Sequence, residues 1–191
     1  MGPLGFHSTI TRELAKNMLL FFSDLHGVSA AASALRRIIA ARSPERVIFL
    51  GDALAPYESR EAALLFQEIG DKLTAVTGNC DDEELLKKHG ISTCGEYAAV
   101  TLEGRSFFCT HGDRWHRHRL PPAGMGEILA HGHTHIPQAE LLEDGMVLFN
   151  PGSAGLPRGG FPHSCGILDN GCLYVISLGS ENTLLSLRLP R

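Results

Sequence analysis

The sequence predicts an α/β chain whose second half turns to strand, an α+β organisation overall. Three observations predict it. Short apolar runs of strand length alternate with helical patterns as far as His89. Beyond that point strand-length runs follow one another. Throughout, 21 glycines and 10 prolines mark tight turns between the runs.

Residues 18–23 (MLLFFS) are the first such run, with the unbroken apolar texture of a strand buried on both faces. Residues 29–42 carry Ala32, Leu35, Ile38 and Ile39 at helical spacing; Ser29 or Ser33 starts this helix and Pro44 closes it. Residues 47–50 (VIFL) form a second buried strand. Residues 58–70 form a second helix through Ala62, Leu65, Phe66 and Ile69, and residues 73–77 a third strand. Residues 82–89 read as a short helix with acids first and Lys87, Lys88 and His89 last, the order that the helix dipole favours. Residues 97–102 and 106–109 then flank Glu103-Gly104-Arg105 as a hairpin. Strands are expected at 127–130, 146–149, 165–169, 173–177 and 184–189, with Asp169-Asn170-Gly171 as a second hairpin turn. With no repeat, low-complexity tract or linker, residues 18–191 are expected to form a single domain. Residues 1–17 are expected to be an unpatterned N-terminal extension.

The composition narrows the function. Of 191 residues, 43% are hydrophobic and 20% charged, a globular balance rather than a disordered one. The net charge of −4 argues against a chain whose main task is gripping nucleic acid or an anionic membrane. No apolar run reaches the roughly 18 residues of a membrane span. The cysteines are Cys80, Cys94, Cys109, Cys165 and Cys172; five is odd and no CxxC occurs, so neither a disulfide framework nor a structural zinc site is read. Reduced thiols and the lack of a secretory pattern lead to the expectation of a cytoplasmic protein. Ten histidines are many for this length, and histidine is the commonest metal ligand.

Polar groups cluster where the apolar runs end. The first ends in Asp24-Leu25-His26, the second in Gly51-Asp52, the third in Gly78-Asn79-Cys80-Asp81. In the second half, Phe107–Thr110 ends in His111-Gly112-Asp113, and Ile128–Ala130 in His131-Gly132-His133-Thr134-His135. Carboxyl ends of parallel strands are where open α/β sheets bind ligands. If strand conformation persists, its period of two aims Asp24 and His26 to one side, and His133 and His135 on one strand face can share a metal. Singly these motifs are weak, since each is also an ordinary turn. Five in succession, each at an expected strand end, point to a metal site.

In this combination the motifs resemble the calcineurin-like metallophosphoesterase superfamily. Gly-Asn-Cys-Asp at 78–81, Gly-His-Thr-His-x-Pro at 132–137, and Phe149-Asn150-Pro151-Gly152-Ser153 followed by Pro157-Arg158-Gly159-Gly160 resemble its YfcE-like bacterial and archaeal phosphodiesterase group. The resemblance implies a four-layer fold, a two-sheet β-sandwich flanked by helices, with two divalent metal ions between the sheet ends. It places the first metal on Asp24, His26, Asp52 and His135, and the second on Asp52, Asn79, His111 and His133, with Asp52 bridging. Such mixed carboxylate, amide and imidazole ligands suit Mn²⁺ first, with Fe, Zn, Ni or Co also accommodated. The implied chemistry is phosphodiester hydrolysis, a metal-bridging hydroxide attacking phosphorus in line. Asp52, Asn79 and His111 would carry the catalysis, and Asn79 would contact the substrate; Arg158, in the glycine- and proline-rich loop 151–162, reads either as a further substrate contact or, preferably, as part of a rigid structural loop. The implied partner is a small phosphodiester, with no obligate nucleic acid and no membrane; a homo-oligomer stays open, as several members assemble.

Two other readings stand beside this one: a Vps29-like protein-interaction scaffold with a degraded site, and a phosphomonoesterase or nucleotide hydrolase on the same fold. Two departures stand out. Cys80 occupies the place where much of the superfamily has a leaving-group histidine, and reads either as a neighbour of the leaving group or as a small space-filling residue. Asp113 replaces a common histidine and is not assigned to metal. Arg114, Arg117 and Arg119, with His116 and His118 around Trp115, read either as a phosphate-capturing mouth or as a solvated loop with Trp115 tucked beneath it. Asn150 is placed to hold the glycine- and proline-rich loop near the site.

Overall fold

All four residues of β1 (Leu19–Phe22) are buried. A strand buried on both faces shows no polar alternation, which is why this run reads as continuously apolar. The computed structural model describes residues 18–102 and 104–190. The expected 1–17 extension, His7 within it, and Glu103 of the first hairpin turn lie outside the described residues.

The chain continues through α1 (Ser29–Arg42), β2 (Arg46–Phe49), α2 (Arg60–Ile69), a 3₁₀ turn at Gly70–Lys72, β3 (Leu73–Ala75) and α3 (Glu83–Lys88). Strands then follow: β4 (Tyr97–Leu102), β5 (Arg105–Thr110), β6 (Ile128–Ala130), β7 (Gln138–Leu141), β8 (Val147–Asn150), β9 (Ser164–Asp169), β10 (Cys172–Ser177) and β11 (Thr183–Arg188). Ser59 caps α2 by accepting from the Ala62 N–H at 3.1 Å, and Asp82 caps α3 through Leu85 at 2.8 Å. The expected serine start of α1 is corrected in one respect. Val28 occupies the cap position without a side-chain bond, and the Ser29 hydroxyl instead donates to Glu61 on α2 at 3.2 Å.

Two mixed sheets result. The first has the order β11-β10-β9-β1-β2-β3, the second β4-β5-β6-β8-β7. Within the first, β1, β2 and β3 run parallel; within the second, β5, β6 and β8 do. Alternate residues of each strand divide between layers. Leu19, Phe21, Ile48 and Leu50 of the first sheet meet Phe107, Cys109, Ala130 and Phe149 of the second between the sheets. Leu20, Phe22, Val47 and Phe49 face the other way, against Leu35 and Ile38 of α1 and Leu65 and Phe66 of α2. The outer face of the second sheet (Phe108, Leu129, Leu148) is covered by the segment carrying Trp115 and Leu120, so among the described residues this outermost layer is loop rather than helix.

Within that segment the basic side chains pair locally. Arg114 pairs with Glu96 at 2.7 Å, and Arg117 grips Glu140 through two bonds of 2.9 and 2.6 Å. Arg119 lies 5.2 Å over the Trp115 ring, which packs edge-on against Phe108. Arg114 and Arg117 nevertheless stay half-exposed. β7 was not foreseen: Gln138–Leu141 is a half-exposed edge strand paired antiparallel to β8, and its sequence QAEL shows neither an apolar run nor a turn signal.

Phe21 joins the sheets, its ring 5.6 Å from Phe107 and 5.3 Å from Phe149. Phe21→Ala is expected to cost about 3–5 kcal/mol. Urea unfolding followed by circular dichroism measures this; a loss below ~1 kcal/mol would mean that the inter-sheet core is not anchored there.

Candidate metal centre

The polar groups foreseen at the strand ends meet at one edge of the sandwich. Asp24 and His26 follow β1, Asp52 follows β2 and Asn79 follows β3; His111 follows β5, and His133 and His135 follow β6. The sheets face each other with the carboxyl ends of these parallel strands on the same edge. Backbone bonds hold the loops together: the Asp24 N–H donates to Gly51 at 2.9 Å, His26 to Asp52 at 3.0 Å, and Gly132 to His111 at 2.7 Å.

The pairing within each x-separated motif does not come from strand geometry. β1 ends at Phe22 and β6 at Ala130, and Asp24, His26, Asp52, His133 and His135 all have left-handed backbone, with φ between 49° and 66°. Consequently His133 and His135 do not share one strand face. His135 faces Asp24 (Nε2 to Oδ1, 3.2 Å) and stacks on His26, with ring centroids 5.2 Å apart. His133 turns to Asn79 (Nδ1 to Oδ1, 2.9 Å) and to His111 (3.3 Å).

Two groups of ligand atoms result. Asp24, His26 and His135 offer atoms within 4.8 Å of one another, as do Asp24, Asp52 and His111. Asn79 Oδ1 lies 3.0 Å from His111 Nε2. Asp52 stands between the groups, its Oδ2 3.6 Å from His26 Nε2 and 3.4 Å from His111 Nε2. Its other oxygen accepts the Cys80 N–H at 2.9 Å, which fixes the carboxylate. A Cβ on Gly78 would stand 2.6 Å from the Asp52 nitrogen, and one on Gly132 would stand 2.7 Å from Asp24 Oδ2. Only glycine permits both approaches.

The imidazole tautomers test whether these residues fit a cation. Nδ1 of His26, His111 and His135 faces the carbonyl oxygens of Ala55 (2.5 Å), Leu50 (2.8 Å) and Leu156 (2.5 Å). A carbonyl only accepts, so Nδ1 carries the proton and, in the neutral ring, Nε2 is the nitrogen left to hold a cation. Asp24 Oδ1 and His26 Nε2 are buried without a hydrogen-bond partner. Lone pairs facing lone pairs in a buried site call for positive charge between them, so the donor set fits a divalent cation.

Without a cation, Asp52 and His111 compensate each other's charge. Burial raises the Asp24 carboxyl above its ordinary range. At Asp52 burial has the same tendency, but His111 outweighs it and holds the carboxyl at about 2. Burial opposes the charge of His111, yet Asp52 overcomes this and pushes the imidazole up to about 9. Burial and the His111 charge hold His133 below its usual value. The Cys80 thiol, whose sulfur lies within 4.8 Å of ligand atoms of His26 and Asp52, is pushed up to about 11 by burial and by the Asp52 charge. It is a protonated neighbour and not a thiolate. The Asp81 carboxylate accepts N–H bonds from Asp52 (2.9 Å), Ala53 (2.7 Å) and Gly78 (2.8 Å), so it organises loops.

Arg158 is not brought to the cluster. It is exposed; its backbone N–H donates to the His135 carbonyl at 3.2 Å, and its guanidinium makes no hydrogen bond or ion pair among the described residues. Beside Asn79 a cleft of about 320 Å³ opens, lined by Thr110, Asp113 and Arg114 among others. Sequence reasoning missed Ser153, which is fully buried; its hydroxyl donates to the Asp24 carbonyl at 2.9 Å and accepts the Leu156 N–H at 2.7 Å. The carbonyls that orient the histidines belong to Leu50, Ala55 and Leu156, whose side chains carry no sign of that task.

Known proteins resemble this chain in sequence and fold. Phosphodiesterase YfcE of Escherichia coli K12 is 34% identical over 178 residues, covering 87% of this chain and 95% of that protein. Phosphodiesterase MJ0936 of Methanocaldococcus jannaschii is 30% identical over 134 residues, covering 65% of this chain and 76% of that protein. The solved structure of the Escherichia coli phosphoesterase Yfce superposes with a TM-score of 0.83 at 31% identity, across 91% of this chain and all of the other. Vps29 of Chaetomium thermophilum, at 16% identity and a TM-score of 0.64 over 91% of this chain and 99% of its own, shares the fold alone. The family profile of the calcineurin-like phosphoesterase superfamily domain matches residues 18–171. With two thirds of its length and more inside that profile, the chain belongs to the calcineurin-like phosphoesterase superfamily.

Proposed function

We propose that the chain is a metal-dependent phosphodiesterase acting at a binuclear site. The observation that carries this is the convergence of imidazole nitrogens and buried carboxylate oxygens on two adjoining positions, with Asp52 Oδ2 between them. Asp24, His26, Asp52 and His135 would hold one cation, and Asp52, Asn79, His111 and His133 the other. The donor set has no thiolate and suits Mn²⁺ first. When bound, such a pair supplies Lewis-acid charge to a phosphate and brings the ionisation of water toward neutral pH.

The chain's own residues do the rest. The carbonyls of Ala55, Leu50 and Leu156 keep three imidazoles in the ligating tautomer. Asn79 aims its Oδ1 at His111 and His133; its amide nitrogen donates one N–H to the Cys80 sulfur at 3.3 Å and would offer the other to a phosphate oxygen. The cleft beside Asn79 gives room for one ester arm. Arg158, on a loop tied by its backbone to His135, is the proposed cationic contact, its side chain having to turn toward the site from its exposed position. A phosphodiester is favoured over a monoester by the two curated relatives, both phosphodiesterases. A scaffold of the Vps29 kind predicts a degraded ligand set, and the seven ligating side chains are all present here.

Metal-stripped protein is expected to regain hydrolysis of bis-p-nitrophenyl phosphate on addition of Mn²⁺, with slower turnover of the p-nitrophenyl monoester. A faster monoester would reassign the substrate class, and silence on both esters would favour the scaffold.

Asp52→Asn and His133→Ala should each lower turnover about 10²-fold or more, the scale of a lost electrostatic group in an active site, with unchanged circular dichroism. Full activity in either variant would overturn the ligand assignment.

Below about pH 9 the cation-free chain keeps a proton on His111, where a cation would bind. Loading at pH 7 should therefore release about one proton, and the release should fade as pH rises past 9. Calorimetry in buffers of different ionisation enthalpy reads this count; zero protons at pH 7 would exclude His111 as the displaced group.

A further inference from the structure

Asn150, the last residue of β8, is fully buried, and its hydrogen bonds go to His131, Gly132, Thr134 and Gly152 rather than to any of the seven candidate ligands. Its amide is saturated. Oδ1 accepts the Gly152 N–H at 2.9 Å. Nδ2 donates to the Gly132 carbonyl at 2.8 Å and to the Thr134 hydroxyl at 3.1 Å, and lies 3.3 Å from His131 Nδ1. The amide can be oriented only one way, because Gly152 offers a donor and Gly132 an acceptor.

The grip falls on either side of His133: one bond holds the residue before it, the other the residue after it. His133 and His135 both sit in left-handed backbone, φ 66° and 62°, a conformation that persists only where the surroundings over-determine it. On its other side Asn150 anchors the strap 152–156. That strap reaches Asp24 through the Ser153 hydroxyl (2.9 Å) and the Gly155 N–H (3.0 Å), and it reaches His135 through the Leu156 carbonyl (2.5 Å). One amide thus joins the two loops that aim Asp24, His133 and His135.

We propose, resting on the cation-binding reading of the site, that Asn150 is a positioning residue whose buried amide, clamped between Gly132, Thr134 and Gly152, sets the affinity of the centre for its cations. A residue serving stability alone would lower the melting temperature of the cation-free chain and leave the affinity of the folded chain untouched. A positioning residue changes that affinity, because outer partners orient the ligating atoms.

The test is Mn²⁺ binding by metal-stripped full-length chain, read from the electron paramagnetic resonance signal of free aqueous Mn²⁺, well below the melting temperature and without substrate. Asn150→Ala is expected to weaken binding by roughly 10–100-fold while circular dichroism stays that of the parent. A folded Asn150→Ala with the parent's Kd overturns the proposal. Should Asn150→Ala fail to fold, Thr134→Val decides, since it removes one bond of the clamp at an exposed position. A weakening of roughly threefold supports the proposal; the parent's affinity overturns it. A parent chain that takes up no Mn²⁺ removes the cation-binding reading and this inference together. Binding by the parent, unaltered in the variants, removes only the inference.

Discussion

Five of the seven candidate ligands occupy left-handed backbone, and the site depends on that constraint. Each such residue costs on the order of 1–3 kcal/mol unless its surroundings hold it. A strand could not do the same work, because it sends successive side chains to opposite faces. By leaving strand geometry immediately after β1, β2 and β6, the chain turns neighbouring side chains into one small volume. The compensation is visible in hydrogen bonds: Asp81 holds three N–H groups around Asp52, and Ser153 joins Asp24 to Leu156.

The layers beneath give these bends a rigid base. β1 is buried by helices on one face and by the second sheet on the other, so its end is fixed relative to both sheets. The bends of the first sheet meet those of the second across a seam above the aromatic contact of Phe21, in β1, with Phe149, in β8. The site and the core are therefore one mechanical object.

Much of this was legible in the sequence, for a physical reason. Strand-length apolar runs ending in Asp, Asn or His record burial followed by a polar tip, and α1 was bounded correctly at Ser29–Arg42 by its periodicity and by Pro44. The ligand residues were legible as types at strand ends. Their grouping was not: the x-separated histidines suggest a shared face, while the positive φ of each sends them to different partners, and backbone angle leaves no mark in residue type unless glycine is required. β7 was invisible because a half-exposed edge strand needs no apolar run. The carbonyls that fix the tautomers were equally hidden, since every residue carries one.

Asp52 lies at the seam between the two sheets, within 3.6 Å of an imidazole borne by the first sheet and 3.4 Å of one borne by the second. A cation shared there would act as a rivet, reinforcing two layers that already meet through an apolar core and through bonds such as that from His111 Nδ1 to the Leu50 carbonyl. Because it would bind the folded chain and not the unfolded one, its occupancy would add to stability by mass action. For such a protein, the supply of metal in its surroundings becomes part of what determines how long the fold survives.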